Sequence, residues 1–395
     1  MSTDRERKFL ITGGTGFLGS YLFTELLKKG YEVTLICRPR NGKSAQERIE
    51  NIIEWFKMNS SKLPGLKVYE GYIDKEGLGL SPSEREIIAR DITEVIHCAS
   101  ETDFSERNRK HIETVNIGFL NNVLNYANDS KAAHFHYLST AYSAGSAEGE
   151  CAEEINIPSG FTNVYEETKN RAEKLADSFC RDKGMRLTIY RPSIVYGESG
   201  TGRSRKFNAF YYPVKALSYI KEIMLKDIKE KNGTRAAALG VSLKDNGTLV
   251  MPIRFRSIYG GSLNLIPVDF FAEAMITLIQ ERDREGIYHL VSGSPGNIEE
   301  LICYTSKYFN IEGLSVTFGE QISDRTGLED LFESYIRMYL PYIADKRKFL
   351  TFRADPILRG RNIICPRMSY EIFERCIDYA IKCGWGKIYD KFRLF

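Results

Sequence analysis

Apolar residues in the first half of the chain follow two alternating spacings. Short apolar runs at residues 8–12 and 31–37 are typical of buried strands, whereas residues 17–29 repeat apolar side chains at helical spacing. The alternation continues, with strands predicted at 66–72, 94–99, 133–139 and 186–191 and helices at 44–57, 83–90, 111–127 and 164–183. This pattern predicts an α/β fold of the doubly wound, Rossmann type, in which a parallel sheet carries helices on both faces.

The regular alternation ends after Gly197. Residues 207–231 and 267–280 have helical spacing, residues 286–291 return to a strand, and the segment from about residue 311 onward is predicted to be mostly helical. We therefore expect three regions. These are a Rossmann domain over residues 1–200, a smaller substrate-binding lobe with returning Rossmann elements over 201–310, and a helical C-terminal extension over 311–395.

Composition and charge narrow the class of protein. With 43% hydrophobic and 27% charged residues the chain can build a large core, and a net charge of +3 is too small to indicate nucleic-acid binding. The eight cysteines form no CxxC pair, and His134 and His136 have no metal-ligand spacing, so we predict no metal and a cytoplasmic location. No run approaches the ~20 apolar residues of a membrane span. The basic and aromatic segment 337–361 leaves peripheral membrane contact open.

A glycine-rich turn follows the first predicted strand and opens the first predicted helix. The spacing Gly14-x-Gly16-x-x-Gly19, like Gly13-x-x-Gly16-x-x-Gly19, matches the dinucleotide-binding fingerprint. Glycine permits a tight turn, and the N-terminus of the following helix attracts the negative charge of a pyrophosphate. We therefore predict that a nicotinamide dinucleotide binds on the turn Gly13-Gly14-Thr15-Gly16-Phe17-Leu18-Gly19.

The end of the second predicted strand bears on the choice of cofactor. NAD-binding proteins usually place an acidic residue there, which accepts a hydrogen bond from the ribose 2′-hydroxyl. This chain has Arg38 at about that position, directly after Cys37. Because a guanidinium suits a 2′-phosphate better than a free hydroxyl, the sequence favours NADP(H).

A Tyr-x-x-x-Lys pair, Tyr165 and Lys169, lies on one face of the predicted helix 164–183. An ammonium group beside a phenol favours the phenolate, so that Tyr165 could exchange a proton with a carbonyl oxygen. Thr140 follows the fifth predicted strand, and its hydroxyl could donate a hydrogen bond to the same oxygen. The three residues together predict a carbonyl-reducing site.

These motifs occur in an order that resembles the extended short-chain dehydrogenase/reductases, and the resemblance covers roughly residues 8–310. Within that family the chain is most similar to the thioester-reductase-like branch, which includes fatty acyl-CoA reductases and the reductase domains of carboxylic acid reductases. The matching segments are Leu78–Ser81, Val95–Ala99, Val115–Gly118, Arg191–Gly202, Leu265–Asp269 and Tyr288–Leu290.

The resemblance implies roles for individual residues. It implies that Thr140, Tyr165 and Lys169 form the catalytic triad. It also implies cofactor contacts from Gly13, Thr15, Gly16, Phe17, Leu18, Gly19, Arg38, Ala99, Asn116, Tyr165, Lys169, Pro192 and Ile194, of which Pro192 and Ile194 would line the nicotinamide pocket. The family usually has an aspartate directly after the glycine of the third strand. Here Tyr72 takes that place, so Asp74 is the candidate for the adenine end of the cofactor.

The activity implied by the resemblance is NADPH-dependent reduction of an acyl thioester, on coenzyme A or a carrier protein, to an aldehyde and then in some members to an alcohol. Two alternatives within the family stay open, a ketone or hydroxysteroid reductase and a nucleotide-sugar epimerase or dehydratase. A third is a non-catalytic NADP-binding sensor, although such relatives typically lose the Tyr or the Lys. The sequence leaves a monomer and a homodimer equally open.

Overall fold

The strands and helices follow one another along the chain much as the apolar spacing predicts. A computed structural model describes residues 7–59, 63–146, 148–259, 261–281, 285–319, 322, 324–343 and 345–387. Its strands are β1 (Lys8–Thr12), β2 (Glu32–Cys37), β3 (Leu66–Glu70), β4 (Glu94–His97), β5 (His134–Leu138), β6 (Gly149–Cys151), β7 (Arg186–Pro192), β8 (Ile194–Tyr196), β9 (Ser242–Leu243), β10 (Leu249–Ser257), β11 (Leu265–Pro267), β12 (Gly286–Leu290), β13 (Ile311–Phe318) and β14 (Arg347–Phe349).

The α-helices alternate with these strands in the first half of the chain and predominate near its end. They are α1 (Phe17–Lys28), α2 (Ala45–Trp55), α3 (Pro82–Asp91), α4 (Arg109–Glu113), α5 (Phe119–Asp129), α6 (Val164–Lys183), α7 (Tyr211–Glu230), α8 (Thr234–Ala238), α9 (Val268–Gln280), α10 (Ile298–Phe309), α11 (Gly327–Ile336), α12 (Leu340–Ile343), α13 (Ala354–Gly360) and α14 (Tyr370–Lys382).

Two compact units, interleaved along the chain, contain these elements. The first consists of Met1–Ser193, Val268–Val291 and Phe349–Ile364, and the second of Ile194–Pro267, Ser292–Lys348 and Cys365–Phe395. The three contiguous domains that the sequence predicts stay a prediction. The chain enters the second unit at Ile194 and later returns to the first unit to form α9, β12 and α13.

A seven-stranded sheet forms the centre of the first unit, in the order β3-β2-β1-β4-β5-β7-β12. Its neighbouring strands are all parallel, which confirms the predicted Rossmann-type architecture. The chain leaves β1 in one direction for β2 and β3 and later returns on the other side for β4 and β5. Ligands of open α/β sheets bind at such a change of direction, beyond the carboxyl ends of the strands.

Helix α6, which carries Tyr165 and Lys169, has the bounds that the sequence predicts. The side chain of Asn163 caps its first turn by accepting a hydrogen bond from the Glu166 amide at 3.1 Å. Gly184 ends it in the left-handed conformation, with φ of 63°. The predicted long helix 111–127 is instead α4 and α5 joined by a π-helical segment, Thr114–Gly118.

The second unit contains a three-stranded sheet, β13-β10-β9, with helices packed on it. The expectation of helix from residue 311 onward is wrong at its start, because β13 occupies Ile311–Phe318 and pairs in parallel with β10. Helices predominate beyond it, as expected. Between helices α7 and α10 lies an apolar cavity of about 60 Å³, whose lining includes Val214, Leu217, Phe255, Leu265 and Ile302. Among the described residues, no helix is both long enough and apolar enough to cross a membrane.

A buried charge cluster lies at the amino ends of the central strands of the first unit. Glu94 accepts hydrogen bonds from Arg7 Nη2 and from His136 Nε2, each at 2.7 Å. Burial alone would raise the pKa of Glu94, but the bonds from His136 and Arg7 outweigh it and hold that pKa well below its usual value. The ring of His134 stacks on His136, and the ligand atoms of Glu94, His134 and His136 lie within 4.8 Å of one another. Because Arg7 already neutralises Glu94, we keep the prediction that no metal binds here.

Removing the charge of Glu94 should destabilise the first unit. We expect Glu94→Gln to lower the free energy of unfolding by about 3 kcal/mol at pH 7, because it leaves the Arg7 charge buried without its partner. The depressed pKa means that the wild-type protein has this contribution above about pH 4 and loses it as the pH falls further. Urea denaturation across pH measures both effects. Glu86→Gln, which breaks an exposed i,i+4 ion pair, is the control and should cost under about 0.5 kcal/mol. Equal losses in the two variants would contradict the interpretation.

Candidate active site

The glycine turn connects β1 to α1 and packs tightly against the end of β4. Gly13 has φ of 78°, and a Cβ atom there would lie 2.4 Å from the backbone nitrogen of Ala99. A Cβ atom on Gly19 would lie 2.4 Å from the carbonyl oxygen of Gly13. Neither position can carry a side chain without moving the backbone. The turn therefore has the shape that lets a ligand approach its backbone directly.

The first turn of α1 is suited to an anion. Gly16 is the N-cap and makes no side-chain capping bond, and the first turn contains no acidic residue. Its N–H groups and the helix dipole are thus available to a negatively charged group. Gly16 is exposed, and Thr15, Phe17 and Leu18 are partly exposed beside it. The sequence predicts that these residues contact the pyrophosphate of a dinucleotide, and that stays a prediction.

Two arginines meet where β2 ends. Arg38 is exposed at the strand end, as predicted. Arg48, on α2, donates from Nη2 to the Thr15 hydroxyl at 3.0 Å and from Nη1 to the Arg38 carbonyl oxygen. Arg48 therefore joins the glycine turn to the end of β2. Sequence reasoning missed Arg48, because it lies ten positions beyond Arg38 and only the folding of α2 brings the two residues together.

Thr140 lies two residues beyond the carboxyl end of β5, after Ser139. Its hydroxyl accepts a hydrogen bond from the Tyr142 amide at 3.3 Å and lies 3.4 Å from the Pro192 carbonyl oxygen, to which it donates. The residue begins a short 3₁₀ turn, Ala141–Ala144. Thr140 is thus fixed by its bonds to Tyr142 in this turn and to Pro192 at the end of β7.

Tyr165 lies in the first turn of α6, and its side chain is partly exposed. Burial raises the pKa of Tyr165 well above its usual value, and the nearby Thr140 hydroxyl opposes that rise. The ring of Phe104 lies 5.9 Å from the Tyr165 ring, centroid to centroid. At neutral pH the phenol is protonated, which is the form that can donate a proton.

Lys169 is buried one turn further along α6. Its ammonium group donates to the Leu138 carbonyl oxygen at 2.7 Å and lies 4.3 Å from the centre of the Tyr137 ring. Burial lowers the pKa of Lys169 to about 7, and Glu173 and Cys98 oppose that shift. The sequence led us to expect Lys169 to lower the pKa of Tyr165. Instead, the pKa of Tyr165 is set by burial and Thr140, and Lys169 contacts strand β5.

Asn116 lies in the π-helical segment between α4 and α5 and is buried. Its Oδ1 accepts from the Ser100 hydroxyl and the Glu101 amide at 3.0 and 2.8 Å, and its Nδ2 donates to the Thr168 hydroxyl at 3.0 Å. The amide thus joins the segment after β4 to the helix that carries Tyr165. π-Helical turns of this kind are frequent at functional sites.

The remaining residues predicted to contact the cofactor lie in several different surroundings. Ala99 lies against Gly13, and Pro192 ends β7 with its carbonyl oxygen facing Thr140. Ile194 belongs to the second unit and lines its apolar cavity. Asp74 is exposed on the turn after β3, so its contact with an adenine stays a prediction.

Three buried polar atoms at this edge have no hydrogen-bond partner among the described residues. They are Nε2 of His97, at the end of β4, Oγ of Ser139, just after β5, and Oγ of Ser193, just after β7. His97 is neutral, because burial and the nearby Lys169 lower its pKa to about 3. Buried polar atoms normally have partners, so these three are consistent with a polar ligand at the carboxyl ends of the strands.

Comparison with known proteins identifies the family. The sequence pattern of the family described as "Male sterility protein" matches residues 11–275. A component of the linear gramicidin synthase from Brevibacillus parabrevis is 21% identical over 399 residues, which cover 95% of this chain and 7% of that protein. Fatty acyl-CoA reductase wat from Drosophila melanogaster is 25% identical over 236 residues, which cover 50% of this chain and 45% of that protein. The chain thus spans less than half the length of these relatives.

Solved structures share the fold. The terminal R domain of the myxalamid PKS-NRPS pathway has a TM-score of 0.73 at 21% identity, covering 96% of this chain and 92% of that chain. A thiolation-reductase di-domain from an archaeal non-ribosomal peptide synthetase has a TM-score of 0.68 at 16% identity, covering 96% and 91%. The family pattern spans more than half of the chain. The protein therefore belongs to the male sterility protein family, the thioester-reductase-like branch of the extended short-chain dehydrogenase/reductases.

Proposed function

We propose that the protein reduces an acyl thioester, carried on coenzyme A or on a carrier protein, to an aldehyde with NADPH. The observation that carries this proposal is that Thr140 follows β5 at the carboxyl edge of the sheet, while Tyr165 and Lys169 lie one turn apart on α6 and the Lys169 ammonium bonds to the end of β5. The family to which the chain belongs supports the acyl substrate. A second reduction, from aldehyde to alcohol, is a further outcome that product analysis distinguishes.

The proposed roles follow from the geometry. NADPH, held by the glycine turn and the two arginines at the end of β2, would supply a hydride for the thioester carbonyl carbon. Thr140 and Tyr165 both place hydroxyl groups where the carbonyl oxygen would become negatively charged. Tyr165, protonated at neutral pH, gives that oxygen its proton, and the resulting hemithioacetal collapses to an aldehyde and a free thiol. Lys169 is held against strand β5 one helical turn from the phenol, where burial lowers its pKa to about 7.

Preference for NADPH is proposed from the two arginines at the end of β2. The neutral Cys37 and the cationic Arg38 stand where an NAD-specific protein would have a carboxylate. Arg48 brings a second guanidinium to within hydrogen-bonding distance of the glycine turn. Two guanidinium groups suit a 2′-phosphate because they offer several fixed donors to its oxygens.

The cavity of the second unit is proposed to take an apolar ligand. The cavity of the second unit is lined almost entirely by carbon atoms, so water inside it would find few hydrogen-bond partners. An alkyl chain gains roughly 0.8 kcal/mol for each methylene group that it buries in such a place. The eight cysteines are free thiols, which suits the reducing conditions of the cytoplasm, where acyl thioesters are available.

The activity test is a panel of acyl-CoA, carrier-linked acyl, ketone and nucleotide-sugar substrates, each with NADPH and NADH. We expect NADPH oxidation with at least one acyl thioester, together with one equivalent of free thiol per aldehyde formed. Turnover of ketones or sugars alone would overturn the thioester proposal.

Tyr165→Phe should lower kcat by at least about a hundredfold, because it removes the proton donor while leaving the ring in place. The Kd of NADPH, measured by fluorescence, should stay within about twofold. Tyr126→Phe, a buried tyrosine on α5 in the same unit, is the matched control and should keep full activity. If Tyr165→Phe turns over at the wild-type rate, the catalytic proposal is wrong.

Arg48→Gln should weaken NADPH binding about tenfold or more and leave NADH binding within about twofold, because only NADPH carries the 2′-phosphate. Isothermal titration with the two cofactors measures the difference. Arg181→Gln, an exposed arginine paired with Asp177 on α6, is the control for loss of positive charge alone. Equal weakening for NADH and NADPH would show that Arg48 acts only by supporting the glycine turn.

A further inference from the structure

Helix α6 carries a buried carboxylate, Glu173, one turn beyond Lys169. Its Oε1 accepts hydrogen bonds from the Ser143 hydroxyl and from Arg191 Nε, each at 2.9 Å. Its Oε2 accepts from Arg191 Nη2 at 2.6 Å. Both Glu173 and Arg191 are fully buried within the first unit. This is a bidentate ion pair, away from solvent, immediately behind the proposed catalytic residues.

Every donor of Arg191 has a partner. Besides its two bonds to Glu173, it donates to the carbonyl oxygens of Ala152 and Glu154 at 3.3 and 3.0 Å. The fifth N–H lies 3.4 Å from Nε2 of His289, whose Nδ1 bonds to the Leu350 carbonyl oxygen. That bond places the imidazole proton on Nδ1 and leaves Nε2 as an acceptor. The guanidinium is thus fixed on all sides, and it fixes Glu173 in turn.

Ser143 connects this pair to the 3₁₀ turn that starts at Thr140. The turn is bonded to α6 twice, through Ser143 Oγ to Glu173 and through the Ser143 carbonyl oxygen, which accepts from Asn170 Nδ2 at 2.9 Å. The Ser143 amide itself donates to the Thr140 carbonyl oxygen at 3.1 Å. The distance between Thr140 and Tyr165 therefore depends on how Glu173 holds Ser143.

We propose that Glu173 is a positioning residue of this oxidoreductase, which holds the turn bearing Thr140 against the helix bearing Tyr165 and supplies a buried negative charge one turn from Lys169. The proposal concerns the reduction step whatever the carbonyl substrate is, so it does not depend on the acyl thioester.

The charge part of the proposal follows from the groups that face Lys169. They are His97 and Cys98 from the end of β4, Tyr137 from β5, and Tyr165 and Glu173 from α6. Burial lowers the pKa of His97 to about 3 and raises the pKa of Cys98 to about 12, so both are neutral at pH 7. The pKa values of both tyrosines are raised by burial. Of these five groups, only Glu173 forms an ion pair, with Arg191, and its carboxylate opposes the loss of the Lys169 proton.

The first experiment measures the titration of Lys169 directly by NMR of protein labelled at lysine Cε, with the signal assigned from Lys169→Arg. We expect a wild-type midpoint near pH 7. In Glu173→Gln, which keeps an oxygen acceptor but loses the charge, the midpoint should fall by about one to three pH units. The fall of kcat on the alkaline side should move to lower pH by the same amount.

Glu94→Gln is the matched control, because it also removes a buried, arginine-paired carboxylate from the first unit but at the opposite ends of the strands. Glu94→Gln should lower the free energy of unfolding but leave the Lys169 midpoint and the alkaline fall of kcat unchanged. If Glu173→Gln leaves the Lys169 midpoint where it is in the wild type, the charge part of the proposal is wrong.

Ser143→Ala tests positioning with the ion pair intact, and so serves even if Glu173→Gln does not fold. We expect the Lys169 midpoint and the Kd of NADPH to stay unchanged while kcat falls about tenfold, because the Thr140 turn loses one of its two bonds to α6. Ser143→Thr, which keeps the hydroxyl, should recover most of the rate. An unchanged kcat in Ser143→Ala would overturn the positioning part.

Discussion

The parallel sheet of the first unit imposes one constraint on which the rest of its chemistry depends. All its strands run in one direction, so the carboxyl ends of β1, β4, β5 and β7 meet at a single edge. The glycine turn, Thr140 and Pro192 each follow or end one of these strands. No local sequence could bring them together, since 179 residues separate Gly13 from Pro192 along the chain. Helix α6 brings Tyr165 and Lys169 to the same edge.

The interior behind that edge contains two buried clusters of charged residues. Glu94 with Arg7 and His136 lies at one end of the strands, and Glu173 with Arg191 and Ser143 lies towards the other. Buried ion pairs cost much of their attraction in lost hydration, so they add little to the free energy of folding. These ion pairs instead favour a single arrangement of the side chains, because each donor must contact its own acceptor. A site that needs hydroxyl groups fixed within fractions of an ångström benefits from that rigidity.

Local sequence signals were sufficient to predict much of this arrangement. The bounds of β1 and α6 are those expected, because apolar spacing and the Asn163 and Gly184 caps are short-range features. Strand β13 was missed because its alternation is weak and its stability comes from pairing with β10, more than fifty residues earlier. The π-helical segment at Asn116 differs from an α-helix by one residue per turn, which apolar spacing cannot resolve. Arg48 and Glu173 were missed because their hydrogen-bond partners lie on other elements. Only the folded chain shows which charged groups meet.

The interleaving of the two units has a consequence for how the protein is made. Strand β7 gains its outer neighbour only when β12 is synthesised, about a hundred residues later. Until then a growing chain presents β7 as an open edge, with unpaired backbone groups beside a freshly formed apolar core. The intervening segment of the second unit must therefore leave the ribosome before the first unit can close. The nascent chain would be most vulnerable to aggregation and most dependent on chaperones during that interval.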